Sequence, residues 1–168
     1  MRNLDEAIKC YRKAIELDPQ KAIFLEEHDQ LCEEAKVPVK ERYDMLKSHH
    51  KTAEKRYTPL ANEVITGTFC GDYDYVLGLL RDCYFPTREG VANFHDAYTD
   101  ALMMAGLKKV SDGKYTEAVE LYRKAFEYPD NQQVFLVDKR VPRDAQTYFM
   151  IGEAYEKAGQ KSKAERGI

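Results

Sequence analysis

Apolar residues recur every three to four positions along most of this chain, and polar residues fill the gaps. That spacing places one apolar stripe on each of a series of helices. The pattern predicts helices over about 3–17, 20–35, 39–50, 52–69, 72–83, 91–111, 114–127, 143–158 and from 160 to the end. Two of the starts are marked. Val37-Pro38-Val39 reads as a turn with Pro at the head of a helix, and Gly71-Asp72-Tyr73 reads as a second turn before another. No alternating strand pattern competes with these helices.

Two segments nearly repeat each other. Glu6-Ala7-Ile8-Lys9-Cys10-Tyr11-Arg12-Lys13-Ala14-Ile15-Glu16 and Glu117-Ala118-Val119-Glu120-Leu121-Tyr122-Arg123-Lys124-Ala125-Phe126-Glu127 share E-A-[IV]-x-x-Y-R-K-A-[IF]-E. A third segment, Tyr148 to Ala164, carries a different half of the same unit. Small residues let two helices approach closely, where a larger side chain would overpack the contact by ~1–3 kcal/mol. The aromatic residue fills the space between helix pairs. A glycine permits the tight turn, and a proline stops the second helix.

These positions resemble the tetratricopeptide repeat, a pair of antiparallel helices of about 34 residues. Tyr148, Ile151, Gly152 and Tyr155 match its first helix, and Gly159 matches its turn. Ala164 matches the small residue early in the second helix. Ala7, Tyr11 and Ala14, and again Ala118, Tyr122 and Ala125, match the small–aromatic–small triplet of that second helix. Pro19 and, one residue early, Pro129 match the closing proline. Aligning Ala7, Arg42, Val76, Ala118 and Ala164 gives two steps near that repeat length and then two longer ones. The extra residues lie around Cys83–Gly90 and Pro129–Pro142.

The resemblance implies an all-α fold: a right-handed α-solenoid of about five antiparallel helix pairs, the outer two incomplete, forming one domain over residues 1–168. Both termini fall inside a pair, which predicts a piece of a longer array. Phe85-Pro86 and Glu89-Gly90, together with the lengthened late repeats, resemble the C-terminal half of large bacterial proteins. Those proteins carry an N-terminal β-rich domain ahead of divergent repeats. Thr87 stands where that motif has an aromatic residue.

Charge and composition narrow the function. The net charge is −3, with 26 basic residues interleaved among 29 acidic ones, so no basic stripe for nucleic acid is present. No apolar run reaches the ~20 residues that span a bilayer, and no secretory leader pattern opens the chain. A cytoplasmic protein with reduced thiols is expected. Cys10, Cys32, Cys70 and Cys83 form no C-x-x-C pair.

Chemistry finds little support. His49 and His50 are adjacent, so on a helix their side chains diverge and read as a solvated helix end rather than a metal site. Cys83 and His95 could form a nucleophilic pair, but no orienting group or oxyanion loop accompanies them. Asp72-Tyr73-Asp74 lacks the remaining ligands of a calcium loop. No phosphate-cradling glycine motif occurs. No metal, cofactor or catalytic residue is therefore assigned.

In this architecture the first helix of each pair lines a concave groove. The repeat offsets nominate Asn62, Ile65, Met103, Leu107, Gln146, Phe149 and Glu153 as groove residues. Only Asn62 is of the kind that clamps a peptide carboxylate, so an apolar, Met-rich groove for a hydrophobic or helical partner is expected. The expected function is non-catalytic protein binding or scaffolding. The partner is a protein, a peptide or another domain of the same chain, with self-association through exposed repeat ends. The alternative is an accessory repeat region of a larger, carbohydrate-active bacterial enzyme. A glycosidase-like carboxylate pair encoded upstream would favour that alternative.

Overall fold

The computed structural model describes residues 3–85, 94–127, 129–132 and 144–160. The described elements are all helical: α1 (Leu4–Leu17), α2 (Ala22–Glu34), α3 (Val39–Ser48), α4 (His50–Ala53), α5 (Tyr57–Phe69), α6 (Tyr73–Asp82), α7 (Phe94–Ser111), α8 (Tyr115–Lys124) and α9 (Asp144–Lys157), with a 3-10 turn at Asp130–Gln132. The chain divides into two compact units, Met1–Tyr75 and Val76–Ile168.

Local sequence sets the helix ends. The side chain of Asn3 caps α1 by accepting from the Glu6 amide at 3.3 Å, and Asp5 and Glu6 sit favourably in the first turn. Pro19 follows the end of α1 at once, as a stop signal should. Four helices close in the same way. The amides of Val37, Asp72, Lys114 and Gln160 each bond a carbonyl five residues back, at 2.8–3.1 Å. In each case the preceding residue is left-handed: Lys36 (φ 57°), Gly71 (77°), Gly113 (74°) and Gly159 (71°). This is the six-to-one closure of a helix C-terminus, and Gly159 takes the turn position its motif implies.

One expected helix is two. The span 52–69 breaks after Ala53, and α5 restarts at Tyr57. Pro59 is the cause. Within a continuous helix its ring would clash with the carbonyl of Lys55. Restarting at Tyr57, behind an extended Arg56 (φ −138°, ψ 142°), puts Pro59 in a first turn where no amide is needed.

In the first unit, α1 packs on α2 and α3 on α5. The core gathers Ile15, Leu25, Leu46 and Ala53, with Phe24 and Met45 against it. In the second unit α8 lies between α7 and α9. Met103, Ala118, Val119, Tyr122, Met150, Ile151 and Ala154 form that core, with Val110, Phe126 and Tyr155 at its margin. Phe85 is fully buried, its amide held by the Asn131 carbonyl at 2.7 Å, and the Asn131 side chain donates to the carbonyls of Leu80 and Cys83. The start of the first inserted loop is thus tied to the second insertion. Pro86 to Gly90, most of Pro129–Pro142 and Ala164 lie outside the described residues.

Candidate partner-binding surface

The packing triplet of the second unit behaves as its motif requires. Ala118 and Tyr122 are 0% and 1% exposed, and Ala125 is buried. Gly106 of α7 is the reason Tyr122 fits. A methyl group at Gly106 would lie 2.2 Å from the tyrosine ring, well inside contact distance. Burial also pushes the Tyr122 hydroxyl up to about 12. In α1 the equivalent Ala7, Tyr11 and Ala14 are only half-buried. On α9, Gly152 and Tyr155 are half-buried and Tyr148 is exposed, its ring stacked on Phe126 at 4.7 Å.

The nominated groove residues do not form one class. Met103 is in the core: it is 7% exposed, and its sulfur accepts from the Thr147 hydroxyl at 3.7 Å. Its place among the groove residues is corrected on that ground. The next first helix, α9, covers this repeat position and turns it inward. Phe149 occupies the same position on α9 and is 65% exposed. Leu107 is exposed, and so is its neighbour one turn back, Met104. Gln146 and Glu153 are exposed as well. In the first unit, Ile65 and Phe69 are exposed four residues apart on α5. Asn62 is half-buried and engaged, donating to Asp29 at 2.7 Å.

Asn62 belongs to a buried polar network that the sequence did not announce. Arg42 donates from Nε and Nη2 to the two oxygens of Asp29, at 2.8 and 3.0 Å, and both residues are buried. A bidentate pair of this kind fixes α3 against α2. Nearby, fully buried Glu63 accepts from His50 Nδ1 at 3.0 Å and from the Tyr75 hydroxyl at 2.6 Å. His50 is therefore half-buried and engaged rather than a solvated helix end. His49 is also half-buried, with Nδ1 3.0 Å from the Met45 carbonyl.

The remaining candidate chemistry is quiet. His28 is buried with Cys32 Sγ 3.8 Å from its ring. Burial, aided by Arg12, lowers the His28 pKa. Burial likewise pushes the Cys32 thiol up, which suppresses the thiolate a nucleophile would need. His95 is buried beside Tyr98, with ring centroids 5.6 Å apart. Among the described residues no helix is long and apolar enough to cross a membrane.

A sequence model described as tetratricopeptide repeat matches residues 1–21 and 145–166. These are the segments carrying the Tyr11 triplet and the Gly152 half-unit. The chain also superposes on solved structures of helix-pair arrays over nearly its whole length. Those two segments carry tetratricopeptide-type repeat sequence. One crystal structure of MamA protein aligns with a TM-score of 0.59 and 18% identity, covering 98% of this chain and 79% of that one. A second MamA crystal structure gives 0.58 and 18%, covering 98% and 84%. No curated protein matches the sequence. The fold is accordingly an all-α solenoid of paired antiparallel helices.

Proposed function

We propose that this chain is a non-catalytic interaction module that holds a protein partner against exposed apolar positions of its first helices. The observation that carries the reading is on α7. Met104 and Leu107, one turn apart, stay 41% and 47% exposed on a helix whose Ala101, Leu102, Met103 and Ala105 are all buried. Large apolar side chains left in water at helical spacing suit a partner that brings its own apolar stripe. Methionine adapts its shape to such a ligand. Ile65 and Phe69 offer a similar pair on α5. The partner chemistry is an apolar, amphipathic helical segment.

The test is capture from an extract of the source organism, comparing wild type with Met104→Glu/Leu107→Glu. Both side chains are exposed, so circular dichroism should stay helical while partners are lost. Undiminished capture by the folded double variant would refute the reading.

A further inference from the structure

His28 and Cys32 stand one turn apart on the same side of α2, each 3% exposed, with the sulfur 3.8 Å from both ring nitrogens. That contact is weak for an imidazole, and among the described residues no stronger hydrogen-bond partner reaches the His28 ring. A buried polar ring ordinarily finds one. Cys32 is also the buried member of the four cysteines. Both residues line a cleft of about 320 Å³, together with Val37 and with Met45 of α3. Three kinds of donor meet in that cleft: imidazole nitrogen, thiol and thioether. All three suit soft metal ions, whereas calcium and magnesium want oxygen.

Charge selects among the soft ions. Burial, aided by Arg12, lowers the His28 pKa and so keeps the ring neutral, the form that binds metal. Burial holds the proton on Cys32, but a bound metal displaces a thiol proton. The charges around the thiol are mixed, Arg12 and Arg42 against Asp29 and Glu41. A monovalent ion on one thiolate makes a neutral centre. A divalent ion would leave a net charge at a buried position, where charge is costly.

We propose that His28, Cys32 and Met45 hold a monovalent soft cation, Cu(I), which ties α2 to α3. The step is an exchange. The Cys32 S–H bond breaks, its proton leaves to water, and the sulfur lone pair forms the bond to copper. Copper enters and stays as Cu(I), so no oxidant or reductant takes part. Metal–sulfur and metal–nitrogen bonds of ~2.3 and ~2.0 Å, bent at the metal, span the 3.8 Å between sulfur and ring nitrogen. The sulfur faces both nitrogens equally, so the ring turns about its soft terminal torsion to aim one lone pair at the ion. The site is separate from the Met104–Leu107 surface and does not rest on it.

Anaerobic titration with Cu(I) tests this, with Ag(I) as a redox-inert surrogate. Competition against a coloured cuprous chelator reads the affinity, and native mass spectrometry reads the stoichiometry. Wild type should hold one tight ion per chain and release one proton on taking it up. X-ray absorption should show one nitrogen and two sulfurs around the copper. Cys32→Ser, His28→Gln and Met45→Leu should each weaken binding by ~10-fold or more, since loss of even an outer partner has that effect on metal affinity. Met45→Leu conserves volume, so its circular dichroism should stay helical even if another variant loses structure. Cys10→Ser, Cys70→Ser and Cys83→Ser together should leave the tight ion in place. A wild type without a tight ion, affinity indifferent to His28→Gln and Met45→Leu, or an ion that survives Cys32→Ser would each overturn the proposal. Partner capture through Met104 and Leu107 should be unchanged by Met45→Leu, so the two readings fail separately.

Discussion

Replacing Gly106 with alanine should destabilise the chain, although alanine is the better helix former. The added Cβ would sit 2.2 Å from one ring carbon of Tyr122 and 2.8 Å from two more. Carbon atoms prefer ~3.5–4.0 Å, so the ring or the helix must retreat by more than an ångström. Tyr122 has little room to retreat, being 1% exposed in a core shared with Ala118, Met103 and Met150. Overpacking of this kind costs ~1–3 kcal/mol, while the gain in helix propensity is ~1 kcal/mol. The net expectation is a loss of ~1–2 kcal/mol. Gly152→Ala is the internal control. Among the described residues nothing lies within 4 Å of its new methyl group, so the propensity gain is unopposed there and stability should rise by ~0.5–1 kcal/mol. Urea unfolding followed by circular dichroism, at a dilution where the chain is monomeric, measures both. Gly106→Ala at or above wild-type stability would refute the close-approach reasoning.

Three further outcomes follow from the first unit. Lys36→Gly should stabilise by up to ~1 kcal/mol in thermal or urea unfolding, since Lys36 alone among the four left-handed helix ends carries a side chain there. Asp29→Ala should cost ~1.5–3 kcal/mol by the same assay, because it removes the bidentate partner of the buried Arg42 guanidinium and leaves it only Glu33 at 3.3 Å; wild-type stability would contradict the role given to that pair. Stability should also fall on acidification through His28. Its folded pKa is lowered by burial, so the unfolded chain takes up a proton that the folded chain refuses. That contribution is complete above the unfolded value of ~6.5 and is lost as pH falls through it toward the folded value. His28→Gln should flatten the stability profile across that window, and an unchanged slope would contradict the assignment.

The sequence was most informative where function of a residue depends on its own helix. The Ala118–Tyr122–Ala125 triplet, the Gly159 turn and the stop after α1 all follow from local rules. The break before α5 was legible too, in Pro59, but the apolar pattern ran straight across it. What a neighbouring helix decides was not legible. Met103 and Phe149 occupy one repeat position, yet one is core and the other surface, because α9 covers only the first. The Asp29–Arg42–Asn62 network and the Glu63–His50–Tyr75 cluster join residues from 12 to 33 positions apart. No spacing rule links such residues before the helices are packed.

Site-specific photo-crosslinking tests most directly the claim that exposed apolar helix positions, rather than a chemical centre, carry the function. A photoreactive residue replaces Leu107 in one sample and Glu120, an exposed polar position on α8, in another. The account predicts a discrete partner adduct from position 107 and none from position 120. Equal labelling from both positions, or none from position 107, would contradict it.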